Sequence, residues 1–78
     1  MEDYQERLQE EYEQLGNRML KLDNMLIKHD RGELGFELKC PVELLRHQLN
    51  VMRDYFKILE TRAQIEGIDL SFSATEVN

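Results

Sequence analysis

Leu45-Arg46-His47-Gln48-Leu49-Asn50-Val51-Met52-Arg53-Asp54-Tyr55-Phe56-Lys57-Ile58-Leu59-Glu60-Thr61-Arg62 is the stretch that decides the fold of this chain. Apolar residues recur at Leu45, Leu49, Met52, Phe56, Leu59 and Ala63. Steps of four and three align them on one face of a helix. A second apolar row, Leu44, Val51, Tyr55, Ile58 and Ile65, runs beside the first and is broken by Gln48 and Arg62. A helix with two apolar rows needs more than one neighbour. The rest of the chain supplies one other long helix, so self-association is expected.

That other helix is predicted from about Tyr4 to Lys28, with Tyr4, Leu8, Tyr12 (or Glu11), Leu15, Met19, Leu22 and Leu26 in a seam of threes and fours. Acids crowd its start (Glu2, Asp3, Glu6, Glu10, Glu11, Glu13) and bases its later half (Arg18, Lys21, Lys28), a polarity that suits the helix dipole. Gly16 interrupts it at a cost of roughly 1 kcal/mol relative to alanine. It is either a tolerated weakness or a place where another group comes close.

His29 to Cys40 reads as a loop, with turn chemistry at Asp30-Arg31-Gly32 and Gly35. Phe36 and Leu38 are expected to tuck over the open end of the hairpin. The second helix begins near Pro41, a residue favoured at the first helical position, and carries Glu43 in its first turn. It runs to about Glu66, with Gly67 as its cap. Ile68, Leu70 and Phe72 alternate with polar residues, as a strand-like extension or as a tail packed on a neighbouring subunit. Ser73 to Asn78 is expected to fray. The expected class is all-α: an antiparallel two-helix hairpin over residues 1–67, assembling into a homo-oligomeric helical bundle, with a short C-terminal tail over 68–78.

A chain of 78 residues builds one small domain with a thin core. The single cysteine, Cys40, excludes a disulfide framework and fits a reducing cytoplasm. No apolar run is long enough to cross a membrane, and the acidic start Met1-Glu2-Asp3 is the reverse of a secretory leader. The net charge of −6 argues against duplex nucleic acid as a partner, though it leaves room for a small anion held by a few clustered cations.

No nucleotide-fold or metalloprotease motif and no paired cysteines occur. His29, His47 and Cys40 read as surface, capping or structural residues, and no metal or cofactor is expected. With no acid, base and nucleophile set, the chain reads as non-enzymatic. Three features suit a ligand. Tyr4 and Tyr12 offer flat rings for stacking. Arg7, Arg18 and Lys21 offer phosphate partners on the first helix, and Arg46, Arg53 and Arg62 a second set on the next. The competing expectation is that the tyrosines are core and that the cations are solvated or paired with nearby acids: Arg7 with Glu11, Lys57 with Asp54, Arg62 with Glu66.

The combination Tyr4-Gln5-x-Arg7, Glu10-Glu11, Leu15, Arg18, Lys21-Leu22, followed by Leu45-Arg46-x-Gln48-Leu49, Met52, Tyr55, Leu59 and Arg62, resembles the helical-hairpin group of phage anti-defence proteins. That group includes anti-CBASS cyclic-nucleotide sponges, and the same hairpin occurs in an anti-Thoeris sponge. The resemblance covers about Tyr4 to Ile65. It implies a protein in the host bacterial cytoplasm that sequesters cyclic dinucleotides or trinucleotides without cleaving them, so that the immune effector stays silent. It implies a compact oligomer, a hexamer, with pockets between subunits. It matches Tyr4 to a base-stacking tyrosine and Lys21 to a phosphate-binding lysine, with Arg7 and Arg18 as neighbours; Tyr12 is the alternative ring for stacking and Arg18 the alternative phosphate partner. For a cyclic trinucleotide at an arginine-lined pore it points to Arg62, then Arg46. Gly16, the Met25-Leu26-Ile27 end of the first helix, the Phe36 loop and the tail after Gly67 depart from the pattern. The short length argues against the larger anti-Thoeris form. The alternative reading is a small oligomeric adaptor or inhibitor that docks a host protein on its apolar helix face.

Overall fold

A computed structural model describes residues 3–72. Two long helices, α1 (Tyr4–Asp30) and α2 (Val42–Glu66), fold back on each other as an antiparallel hairpin about 44 Å long. Each end follows from local chemistry. Asp3 sits in extended backbone and its carboxylate accepts from the Gln5 amide at 3.1 Å, satisfying one of the amides that a helix start leaves unpaired. At the other end of α1 the Arg31 amide donates to Ile27 and the Glu33 amide to Lys28, while Gly32 takes the left-handed conformation at φ 71°.

Pro41 is the N-cap of α2, one position earlier than the first helical residue expected for it. Its ring has no donor to lose there, and its carbonyl accepts from Leu44 and Leu45. Gly67 closes α2 in the left-handed region at φ 70°. The Ile68 amide donates to Ala63 at 2.8 Å and the Gly67 amide to Gln64, the paired bonds of a Schellman stop.

The core is the first row of each helix. Leu8, Tyr12, Leu15, Leu59 and Ala63 form one buried cluster, with Leu59 fully enclosed, and Leu26 and Leu49 continue the burial toward the loop. Met19, Met52 and Phe56 pack around this cluster.

The chain after Gly67 settles two open expectations. Residues 68–72 are neither a strand nor displaced onto another molecule. Ile68, Leu70 and Phe72 return to their own core. Ser71 is clamped by the Gln9 amide group, which accepts from its backbone N–H at 3.0 Å and donates to its carbonyl at 2.6 Å. Phe72 then lies directly over Gly16: a Cβ built on that glycine would stand 2.5 Å from the ring. Gly16 is therefore a close-approach site. Ser73 to Asn78, expected to fray, lies outside the described residues.

In the loop, Phe36 does not tuck over the hairpin. It stays exposed, while Leu34 and Leu38 are half-buried. Eleven-residue stretches such as 31–41 have too few apolar partners to bury every ring they carry.

Candidate functional site

At 3.6 residues per turn each residue advances about 100° around its helix, and this gives the hairpin two broad faces. The tail covers one of them, through Gln9, Gly16 and Phe72. On the opposite face lie Tyr4, Arg7, Glu11, Gln14, Arg18 and Lys21 of α1, all exposed. Beside them on α2 runs the second apolar row, with Leu44 at 56 %, Val51 at 51 %, Tyr55 at 38 %, Ile58 at 55 % and Ile65 at 79 % exposure. One contact shows that the two rows share a face: Arg62, in phase with the α2 row, donates from Nη2 to the Tyr4 hydroxyl. Among the described residues nothing covers this open face.

Tyr4 and Arg62, named separately from sequence, meet here at one end of the hairpin. The Tyr4 hydroxyl also donates to Glu66 Oε2 at 3.3 Å, and Arg62 Nε lies 3.8 Å from the same carboxylate. The hydroxyl is thus steadied by a cation and an acid, and the ring, at 42 % exposure, keeps a face in solvent. Arg62–Glu66 is the expected i, i+4 pair. Among the described residues the expected pairs Arg7–Glu11 and Lys57–Asp54 do not come within 4.0 Å. Among the described residues Arg7, Arg18 and Lys21 make no salt bridge within 4.0 Å, although the chain carries a net charge of −6.

Tyr12 is placed differently from a ligand-stacking ring. It is a core residue, stacked on Phe56 with centroids 4.2 Å apart and met edge-on by Phe72 at 6.3 Å. Burial, reinforced by the nearby Glu60 carboxylate, raises its phenol above the ordinary value of 10.0. The ring is buried with one face already stacked, so no base can stack on it in this fold.

Arg46 is also spoken for. At the loop end it donates to the Asp30 carboxylate, which His29 Nδ1 also approaches at 3.5 Å. The Arg46 hydrogen bond, helped by His29, holds Asp30 below its ordinary value, and the same bond raises Arg46. Arg53 is similarly opposed by Asp23 at 3.6 Å on the tail side. Arg46 and Arg62 lie sixteen residues apart on α2, about 24 Å at 1.5 Å per residue. They do not serve one small ligand within a single chain. A broad cleft at the loop end is lined by His29, Leu34, Phe36, Leu38, Cys40 and Pro41 among others, and none of the site residues named from sequence touches it.

Sequence reasoning missed the Gln9–Ser71 clamp and the pairing of Asp30 with Arg46, sixteen positions away, because only the folded path brings them together. Among the described residues no helix is long and apolar enough to cross a membrane. A comparison with protein-family models matches residues 2–65 to a family described as Sequestin. No curated protein and no solved structure matches the chain.

Proposed function

The chain belongs to the Sequestin family, and on that premise we propose that it binds a cyclic nucleotide second messenger of a bacterial immune pathway and holds it uncleaved, so that the pathway's effector is not triggered. The family name itself describes sequestration. The observation that carries the ligand class is the open face: Arg7, Arg18 and Lys21 stand without a carboxylate partner on an acidic chain, next to an exposed tyrosine whose hydroxyl is fixed by Arg62.

A cyclic dinucleotide or trinucleotide presents flat bases and several phosphates to such a surface. Stacking on Tyr4 is worth on the order of 1–3 kcal/mol per base. Arginine and lysine supply the charge-assisted hydrogen bonds that phosphate oxygens accept. Tyr4, Arg7, Arg18, Lys21 and Arg62 carry this role, and the buried Tyr12 and the Asp30-bound Arg46 do not. We read the site as one that retains its ligand unchanged. We place the protein in the phage anti-defence hairpin group, acting on CBASS messengers from the host cytoplasm as a homo-oligomer, with a hexamer as the implied assembly.

Calorimetry against a panel of cyclic dinucleotides, cyclic trinucleotides and the nucleotide signals of CBASS and Thoeris pathways tests the proposal. One member is expected to bind, and Tyr4→Ala and Lys21→Ala are expected to weaken it without changing helix content. Silence across the panel would overturn it. The exposed α2 row also fits a second reading, an adaptor for a host protein, which a stoichiometric host partner on a monomeric chain would favour.

A further inference from the structure

The tail side of the hairpin, opposite the open face, carries a cavity of its own. It has a volume of about 150 Å³ and lies between α1 and α2 beside the tail. Met19 and Leu20 of α1, Leu49 and Phe56 of α2, and Phe72 of the tail give it apolar walls. The Phe72 ring is held there by its seat on Gly16 and by an edge-on contact with Phe56 at 5.8 Å. Asp23 and Arg53 complete the lining. Their side chains are 40 % and 49 % exposed, so they stand where the cavity opens to solvent. Arg53 Nη2 lies 3.6 Å from Asp23 Oδ1, beyond the about 2.7–3.2 Å of an ordinary hydrogen bond. Among the described residues neither side chain makes a hydrogen bond, so both keep their capacity for a third group.

We propose that this cavity binds a free α-amino acid with a single-ring or branched apolar side chain. An apolar cavity of about this volume takes one benzene ring. The side chain of phenylalanine or leucine fills it, and withdrawal of apolar surface from water supplies the drive. An α-amino acid carries its ammonium and its carboxylate on one carbon, so opposite charges sit side by side at the base of the side chain. The ammonium meets Asp23 and the carboxylate meets Arg53, whose guanidinium can offer two parallel N–H donors. The same pair sets the selectivity. A ligand with a carboxylate alone gains Arg53 but faces Asp23 as a like charge, and a ligand with an ammonium alone meets the reverse. A residue inside a peptide carries neither charge.

Phe72 ties occupancy of the cavity to the tail. Its ring is one wall of the cavity, and the residue before it, Ser71, is clamped to Gln9 of α1. A ligand packed against the ring favours the seated tail, and the seated tail completes the cavity, so each strengthens the other. Tyr4, Arg7, Arg18 and Lys21 line none of this cavity. The amino-acid site is therefore independent of the messenger-binding proposal, and either stands if the other fails.

Amide chemical-shift titration of the full chain with phenylalanine, leucine, alanine, phenylalaninamide and 3-phenylpropionate tests it. Phenylalanine and leucine should give saturable shifts at Gly16, Leu20, Asp23 and Phe72 and leave Arg7 and Lys21 unmoved. Alanine, with almost no side chain to bury, should bind about ten- to hundredfold more weakly than phenylalanine. Phenylalaninamide and 3-phenylpropionate each lack one charge of the head and should bind about fivefold more weakly. Leu20→Phe should fill the cavity and abolish binding, with circular dichroism reporting intact helices. Should that variant unfold, Arg53→Gln carries the test, because its side chain is half exposed. It should weaken phenylalanine about fivefold and leave phenylalaninamide, which has no carboxylate, no weaker than before. Phe72→Ala should bind phenylalanine less tightly than wild type. No saturable shift with phenylalanine or leucine at millimolar concentration, or shifts confined to the open face, would overturn the proposal. So would half-charged analogues that bind as tightly as phenylalanine, or binding undiminished in a folded Leu20→Phe, in Arg53→Gln or in Phe72→Ala.

Discussion

Gly16→Ala sets two effects of opposite sign against each other, and the structure says which wins. Helix propensity favours alanine by roughly 1 kcal/mol in a helix interior. Against this, the new Cβ would stand 2.5, 2.7 and 2.9 Å from three atoms of the Phe72 ring. Ordinary carbon contacts need about 3.5–4.0 Å, so the ring must withdraw by about an ångström or leave. It is edge-on to Phe56 at 5.8 Å and to Tyr12 at 6.3 Å, and it follows the Gln9–Ser71 clamp directly. Each aromatic contact is worth about 0.5–1.5 kcal/mol, and the half-buried ring adds about 1–2 kcal/mol of apolar burial. After the propensity gain, the net expectation is a loss of about 1–4 kcal/mol, or several degrees in melting temperature for a domain of this size. Urea unfolding followed by circular dichroism, at fixed protein concentration, reads it. The companion measurement repeats Gly16→Ala in a Phe72→Ala background, where the clash is gone and alanine should stabilise by about 0.5–1 kcal/mol. A Gly16→Ala protein more stable than wild type would refute the reasoning and return Gly16 to the status of a mere weak point in α1.

Leu59 is fully enclosed, so Leu59→Ala should cost about 2–5 kcal/mol; in a chain this short, urea titration should find little folded protein left. The Arg46 hydrogen bond holds Asp30 below its ordinary 3.8, so its contribution is complete above that value and is lost as pH falls through the lower, folded one. Asp30→Asn should accordingly flatten the decline in stability as pH falls below about 3.8, measured by denaturation at each pH. Tyr12 is raised above 10.0 by burial, so the folded protein should lose stability as pH climbs past that value, where the unfolded phenol ionises first. Tyr12→Phe should remove that alkaline loss, read by thermal melts in the same range.

Much of the hairpin is legible in the sequence because periodicity and end chemistry agree. The 4-3 rows, Asp3 and Gly67 each point to the observed helices, and both long elements end within two residues of expectation. The exposed second row was legible for the same reason: Val51 and Ile58 are on the wrong side of α2 to meet α1. What was not legible depends on the third dimension. Gly16 looks like a helix defect until Phe72 is placed over it. Tyr4 and Tyr12 are equivalent by type and seam position, and only the returning tail, with Phe56, makes one a core ring and leaves the other open. Arg46 and Arg62 are likewise similar by type, and only the fold gives the first a carboxylate across the loop and the second a tyrosine hydroxyl.

Native mass spectrometry of the purified chain, mixed with the panel of immune cyclic nucleotides, weighs copies and cargo in one spectrum. The account predicts an even-numbered assembly that carries a nucleotide of unaltered mass and loses it when Lys21 is replaced by alanine. A lone chain that carries nothing, or a bound species whose mass is that of a cleaved nucleotide, would contradict it.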